Sequence, residues 1–256
     1  VEESIKPGIF SGVPGPGNPD YRAGFMYNGP RGEELDRFYL SPSQYALVLY
    51  ATLIETGRMS PDGLLDFNRD GSIVEMIGAE HSPGHEVMSG SLGQGISQAS
   101  GIAMARKLRG EKGRNVIFMS DGEFQIGQVW EAIQMMVYYK LDNILVYVDV
   151  NGCQCDGIMT SVMNIEPLEK RLEAFGMRVF RVDGHDVDAL AEWGNLPPDG
   201  RPVIVLCDTI PYKGIPLLRE RYPKFHYMRF VNQEEKNGYE KFLCRLKEEN
   251  IYGNII

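Results

Sequence analysis

This sequence predicts an α/β fold, with a mostly parallel central sheet and helices on both faces. Four short apolar runs carry that expectation: 115–119 (NVIFM), 144–150 (ILVYVDV), 177–182 (MRVFRV) and 202–207 (PVIVLC). Strands buried on both faces read as continuous apolar runs, and parallel neighbours need a long crossover, usually a helix. The segments between the runs have helical length and helical signals. Size agrees: 256 residues, 43% hydrophobic and 24% charged, suit one large globular domain.

Taken in order, residues 1–35 form an extended Gly/Pro-rich segment that holds no helix and lies over a surface, its own or a partner's. Residues 36–256 form the domain proper. Ser41-Pro42-Ser43 opens a helix over 45–54 that ends near Gly57, with a capping residue before it and a glycine after it. Helices follow over 91–108, 125–140, 166–175 and 186–193, alternating with the four strands. A charged amphipathic helix over 233–249 ends the chain and is read as a solvated face.

Composition excludes several function classes. The net charge of −9 disfavours non-specific nucleic-acid binding, which needs a basic surface. No stretch approaches the roughly 20 apolar residues of a membrane span. The first residues, Val1-Glu-Glu-Ser-Ile, have no basic or apolar leader region, so no signal peptide is expected there. Four cysteines in a chain this long are no disulfide framework and point to a reducing, cytoplasmic setting.

Ligands of open α/β sheets sit beyond the carboxyl ends of the strands. After the first apolar run comes Ser120-Asp121-Gly122-Glu123, and after the second comes Asp149-Val150-Asn151-Gly152-Cys153-Gln154-Cys155. A carboxylate, an amide oxygen and a backbone carbonyl are hard ligands suited to Mg²⁺, which keeps further positions for water and phosphate oxygens. Gly122 lets backbone approach a phosphate. Asp-Gly and Asn-Gly pairs also mark ordinary turns, and these residues alone leave both readings open.

The run 120–157 strongly resembles the thiamine-diphosphate motif of transketolases, with Asp121 and Asn151 at that family's spacing. Upstream, residues 88–95 (MSGSLGQG) resemble the family's glycine-rich loop; downstream, 182–186 (VDGHD) and 212–226 also fit. The likeness runs from about Asp36 to His226, the diphosphate-binding half of a transketolase, and leaves out the pyrimidine-binding half. It implies one subunit of a split thiamine-diphosphate-dependent enzyme, completed by a separate pyrimidine-domain subunit with two copies of each. Such an enzyme transfers a two-carbon ketol unit from a ketose-type donor to an acceptor.

Carried over residue by residue, the resemblance implies Mg²⁺ on Asp121, Asn151 and the Cys153 carbonyl. Gly122 and Glu123 fall at the diphosphate, Gly90 and Leu92 at the aminopyrimidine, Cys155 at the thiazolium, and His226 near diphosphate and substrate. Departures cluster on the substrate side. Gln44 replaces one family histidine, Ile77 falls where another stands, and Ile126 replaces a glutamate that links paired active sites in many members. His81 and His85 are the residues available to replace the missing histidines.

Plainer readings stand beside these. The i, i+4 spacing of His81 and His85 suits zinc only on a helix, which Pro83-Gly84 prevents. Cys153 and Cys155 are too close for a usual zinc pair. Gly90, Gly93 and Gly95 read GxxGxG with no strand before them, unlike a nicotinamide site. His226 reads equally as an exposed histidine beside Phe225. The missing histidines also leave open a 2-oxo acid donor such as pyruvate, with delivery to a lipoyl or carrier domain. A non-catalytic scaffold and a non-thiamine phosphate-binding protein are the remaining alternatives.

Overall fold

The computed structural model describes Pro19, residues 21–226 and residues 229–248. In chain order it runs β1 (Arg37–Leu40), α1 (Ala46–Glu55), α2 (Gln94–Leu108), β2 (Asn115–Ser120), α3 (Gly127–Tyr138) and β3 (Ile144–Val150). A two-stranded hairpin follows, β4 (Cys153–Gln154) and β5 (Gly157–Ile158), then α4 (Met159–Val162) and α5 (Leu168–Phe175). The chain then forms β6 (Arg178–Asp183), α6 (Val187–Glu192), β7 (Val203–Asp208) and α7 (Gln233–Glu248).

Five strands make one sheet in the order β1-β2-β3-β7-β6, every pair parallel. The α/β expectation therefore holds, and each apolar run is a strand. In β2, β3 and β7 the side chains alternate between two cores, which explains why these runs are almost wholly apolar, while the edge strand β6 carries Arg178 and Arg181. Ile117, Met119, Val146, Val148, Ile204 and Leu206 join α2, α3 and α5 in one cluster. On the other face, Leu40 and Phe118 meet α1, while Leu145, Val203 and Val205 meet Leu190 of α6 and Trp193.

Three local differences have physical causes. β1 was not foreseen: four residues (RFYL) next to a helix start give too short a pattern, and only pairing with β2 makes them a strand. The helix expected over 166–175 starts at Leu168, because Pro167 disfavours helical backbone in the residue before it. The helix expected from 125 starts at Gly127, because Asp121–Gln125 winds as a 3₁₀ turn with its own capping box.

The N-terminal expectation concerned a surface-lying extended segment. Residues 1–18 and 20 lie outside the described residues. From Ala23 to Asn28 the chain lies against the loop of residues 80–84. Gly24–Asn28 is a 3₁₀ turn, with Gly24 donating to the Glu80 carbonyl at 2.7 Å and Gly84 donating to the Gly24 carbonyl at 2.8 Å. A Cβ on Gly24 would stand 2.0 Å from the Ser82 carbonyl oxygen, so only glycine fits this contact.

Candidate functional site

Parallel register brings the carboxyl ends of the central strands level: Ser120 lies beside Asp149, and Val150 beside Asp208. Everything that follows these residues gathers at one edge of the sheet. Asp121, directly after β2, is 2% exposed, and one of its oxygens accepts from the Gly152 N–H at 2.9 Å. That bond ties the turn after β2 to the loop after β3. Burial pushes the Asp121 carboxyl up to about 7, and the neighbouring Asp149 charge adds to the shift, against the opposing Gly152 hydrogen bond.

Asn151 faces the same space. Its amide NH₂ donates to an Asp149 oxygen at 2.8 Å and to the Tyr45 hydroxyl at 3.3 Å. Its oxygen accepts from the Cys153 N–H at 2.8 Å and keeps a second lone pair. Asp149 is itself held from two sides, by the Tyr45 hydroxyl at 3.1 Å and by the Thr209 hydroxyl at 2.5 Å. Among the described residues, no Lys or Arg forms an ion pair with Asp121 or Asp149.

This donor chemistry fits a hard divalent cation. A desolvated carboxylate with no protein cation beside it, an amide oxygen turned by its own NH₂ contacts, and a nearby backbone carbonyl form the set that Mg²⁺ takes together with phosphate oxygens. No cluster of three or more His, Cys, Asp or Glu side chains suited to a metal occurs among the described residues. The Asp121–Asn151 set has only one such side chain, so it falls outside that description. Gly122 leaves open space for a ligand: a Cβ there would meet only Gln154 Nε2, at 3.7 Å.

The glycine loop wraps close to this edge, which no sequence spacing required. The Gln44 side chain donates to the Gly90 carbonyl at 2.8 Å. Ser89 donates to the Leu40 carbonyl at 2.7 Å. Gly93 takes φ +81°, caps α2, and lies where a Cβ would stand 3.0 Å from Ile126. Leu92 is exposed next to it.

Several expected site residues sit differently. Glu123 turns inward: it is fully buried, and its two oxygens accept from the Ser41 hydroxyl at 2.6 Å, the Gly93 N–H at 2.9 Å and the Ser120 N–H at 3.0 Å. It holds the two loops together and presents no oxygen to a ligand, which corrects its expected place at the diphosphate. Burial raises its pKa, against the hydrogen bonds that lower it.

His85 is also turned inward. It is 1% exposed, its Nδ1 meets the Pro83 carbonyl at 3.2 Å, and its ring fills the space where a side chain on Gly78 would lie. Burial lowers its pKa, so it favours the neutral ring. An exposed catalytic role expected for His85 therefore does not fit its position. His81 pairs with Glu75 at 3.0 Å. His226 is exposed, next to the ring cluster of Tyr212, Tyr222 and Phe225. Cys155 is exposed in the two-residue turn of the β4–β5 hairpin, while Cys153 is half-buried, hydrogen-bonded to Tyr222 and raised in pKa by burial.

Asp149, Tyr45, Thr209 and Ser41 were missed. Asp149 could have been found from its place at the end of a strand, two residues before Asn151. Tyr45 and Thr209 carry no local signal. A cavity of about 540 Å³ lined by Arg178, Phe180 and Arg201 lies at the amino end of β6, the opposite edge of the sheet, and is not this site.

Fold and site together define an α/β domain that assembles buried polar groups at the carboxyl ends of parallel strands. Residues 25–226 match the family model described as transketolase, thiamine diphosphate binding domain. The chain is 42% identical over 209 residues to a protein of Sinorhizobium fredii named for the transketolase family, covering 80% of this chain and 75% of that one. It is 32% identical over 196 residues to an apulose-4-phosphate transketolase subunit of Actinobacillus succinogenes, covering 76% and 71%. Its fold matches the transketolase of Campylobacter jejuni with a TM-score of 0.63 at 27% identity, covering 69% of this chain and only 29% of that enzyme. The chain belongs to the transketolase family.

Proposed function

We propose that this chain is the thiamine-diphosphate- and Mg²⁺-anchoring subunit of a split transketolase, completed by a separate pyrimidine-domain subunit. The observation that carries this reading is the Asp121–Gly152 link. It sets a buried carboxylate, an amide oxygen and an open glycine turn at one sheet edge, in a chain matching the thiamine diphosphate binding domain. Asp121, Asn151 and the Cys153 carbonyl would hold the metal, Gly122 would admit the diphosphate, and Gly90 and Leu92 would face the aminopyrimidine. When bound, thiamine diphosphate supplies the carbanion chemistry that breaks and remakes a carbon–carbon bond of a ketose.

The chain's own residues bind and orient. Burial of Asp121 makes it costly to ionise without a cation, so metal binding and loss of its proton are coupled. Glu123 fixes the glycine loop against the turn after β2, which keeps both contacts in register. The Actinobacillus succinogenes relative, of similar length and itself named as one subunit of a transketolase, supports a two-gene enzyme and a ketose donor over a 2-oxo acid. The retained Asp121 and Asn151 argue against a scaffold. Two copies of each subunit, and a cytoplasmic setting consistent with four free cysteines, complete the reading. Among the described residues, no helix is long and apolar enough to cross a membrane.

Calorimetry with thiamine diphosphate and Mg²⁺, on the chain alone and mixed with the pyrimidine-domain subunit, tests this. Binding that tightens in the mixture, followed by ketose cleavage, is expected. No binding in either arm would overturn the reading.

A further inference from the structure

We propose that Tyr45 is a positioning residue for the metal ligand Asn151, acting through Asp149. This rests on the cofactor-anchoring function proposed above and goes beyond it, because Tyr45 lies outside every motif that suggested that function. The residue stands 104 positions before Asp149 in the chain, yet its hydroxyl donates to Asp149 Oδ2 at 3.1 Å and accepts from Asn151 Nδ2 at 3.3 Å.

An amide bound to a metal must present oxygen, not NH₂. The two ends of an asparagine amide are nearly equal in shape, so only hydrogen-bond partners choose between them. Here the choice is made from two sides, by the Cys153 N–H that donates to the oxygen at 2.8 Å and by Asp149. Its carboxylate accepts only, so the Asn151 NH₂ turns toward it and the oxygen turns away. Asp149 acts in this way only while its own oxygens are held in place. The Thr209 hydroxyl holds one oxygen, and the Tyr45 hydroxyl holds the one that Asn151 uses. Partners behind a metal ligand commonly set its orientation and affinity in this way.

Tyr45 is well placed for the task. Its ring packs on Phe118 of β2, with centroids 5.7 Å apart, so its reach is fixed by the sheet itself. The residue before it, Gln44, holds the glycine loop through the Gly90 carbonyl. Two adjacent residues at the start of α1 thus tie the glycine loop and the metal motif to a single turn of backbone. A change at this turn moves both halves of the cofactor site together.

The test uses Tyr45→Phe, which keeps the ring and removes one oxygen. The probe is Mn²⁺ binding by the full chain with its partner subunit, read by electron paramagnetic resonance at saturating thiamine diphosphate. Metal affinity should fall about tenfold, within the range for partners behind a metal ligand. The melting temperature should stay unchanged. In an Asp149→Asn background the same substitution should have no further effect, since the carboxylate it supports is gone. Unchanged Mn²⁺ affinity in Tyr45→Phe, with the unaltered chain binding normally, would overturn this inference alone. A lower melting temperature with unchanged affinity, or full additivity with Asp149→Asn, would do the same. Failure of the unaltered chain to bind Mn²⁺ and thiamine diphosphate would instead overturn the functional reading beneath it.

Discussion

The anchor and the rim of this site are built differently. At the anchor, Glu123 accepts from Ser41 after β1, Asp121 accepts from Gly152 after β3, and Asn151 donates to Asp149. At the rim, His81 turns to Glu75, His85 is buried against Gly78, and His226 is exposed near a separate group of rings. The anchor groups are tied together within this chain, whereas at the rim His81 and His85 are each committed to a neighbour of their own. On the proposed reading, the pyrimidine-domain subunit would complete both the cofactor site and the substrate site. Removing a group at the anchor should therefore cost far more than removing one at the rim.

The largest effect is expected at Asp121. Asp121→Ala deletes the one carboxylate of the proposed metal set and should weaken Mg²⁺-dependent binding of thiamine diphosphate by more than about a hundredfold. Calorimetry checks it, and unchanged affinity would dissolve the contrast between anchor and rim. Without metal, the folded-state pKa of Asp121 is about 7, above the ordinary carboxylate value. The stability that its protonated form contributes is present at low pH and is lost as pH rises through 7. A bound cation needs the ionised form, so binding releases a proton below pH 7. Apparent affinity should then fall about tenfold per pH unit on that side. Titrations in buffers of different ionisation enthalpy would count that proton, and a flat profile would show that Asp121 is already ionised before the metal binds.

A smaller effect is expected at Glu123. Glutamine there keeps the shape but turns an NH₂ toward Ser41, Gly93 or Ser120, all of which donate. The mismatch should cost about 1–3 kcal/mol in urea unfolding. Cofactor affinity should fall with it, because the glycine loop loses its tie to the turn after β2. Full stability in the variant would show that the loops are held by something else.

These expectations also mark how far the sequence could be read. The apolar runs at 115–119 and 144–150 placed Asp121 and Asn151 at neighbouring strand ends, because both the runs and the turn residues are local signals. β1 escaped, since RFYL is too short to show a period, and its only cause is the strand beside it. The resemblance places Glu123 at the cofactor; its inward turn comes from a 3₁₀ winding and from Ser41, 82 residues earlier. The same holds for Tyr45 and Thr209, which meet Asp149 only once the sheet has formed. His85 stands just before the glycine loop, and so its sequence position makes it available to replace a missing histidine. Burial decided otherwise, and burial depends on Gly78 and Tyr50, which no spacing rule connects to it.

The smallest effect is expected at His81, and it tests the rim directly. Its Nε2 meets Glu75 at 3.0 Å on a partly exposed surface, where the Ser82 hydroxyl also donates to the same carboxylate oxygen. Glu75 therefore keeps a partner when the histidine is removed. His81→Ala should change stability by no more than about 1 kcal/mol, the range of exposed ion pairs. It should leave cofactor affinity unchanged, since the anchor shares no bond with it. With the completed enzyme, the KM for a ketose donor should also stay within about threefold, because a group already committed to Glu75 gives little to substrate. A rise of tenfold or more in KM at unchanged turnover would place His81 on the donor. The rim would then be a substrate site carried by this chain, and the division between anchor and rim would fall between two parts of one subunit rather than between two subunits.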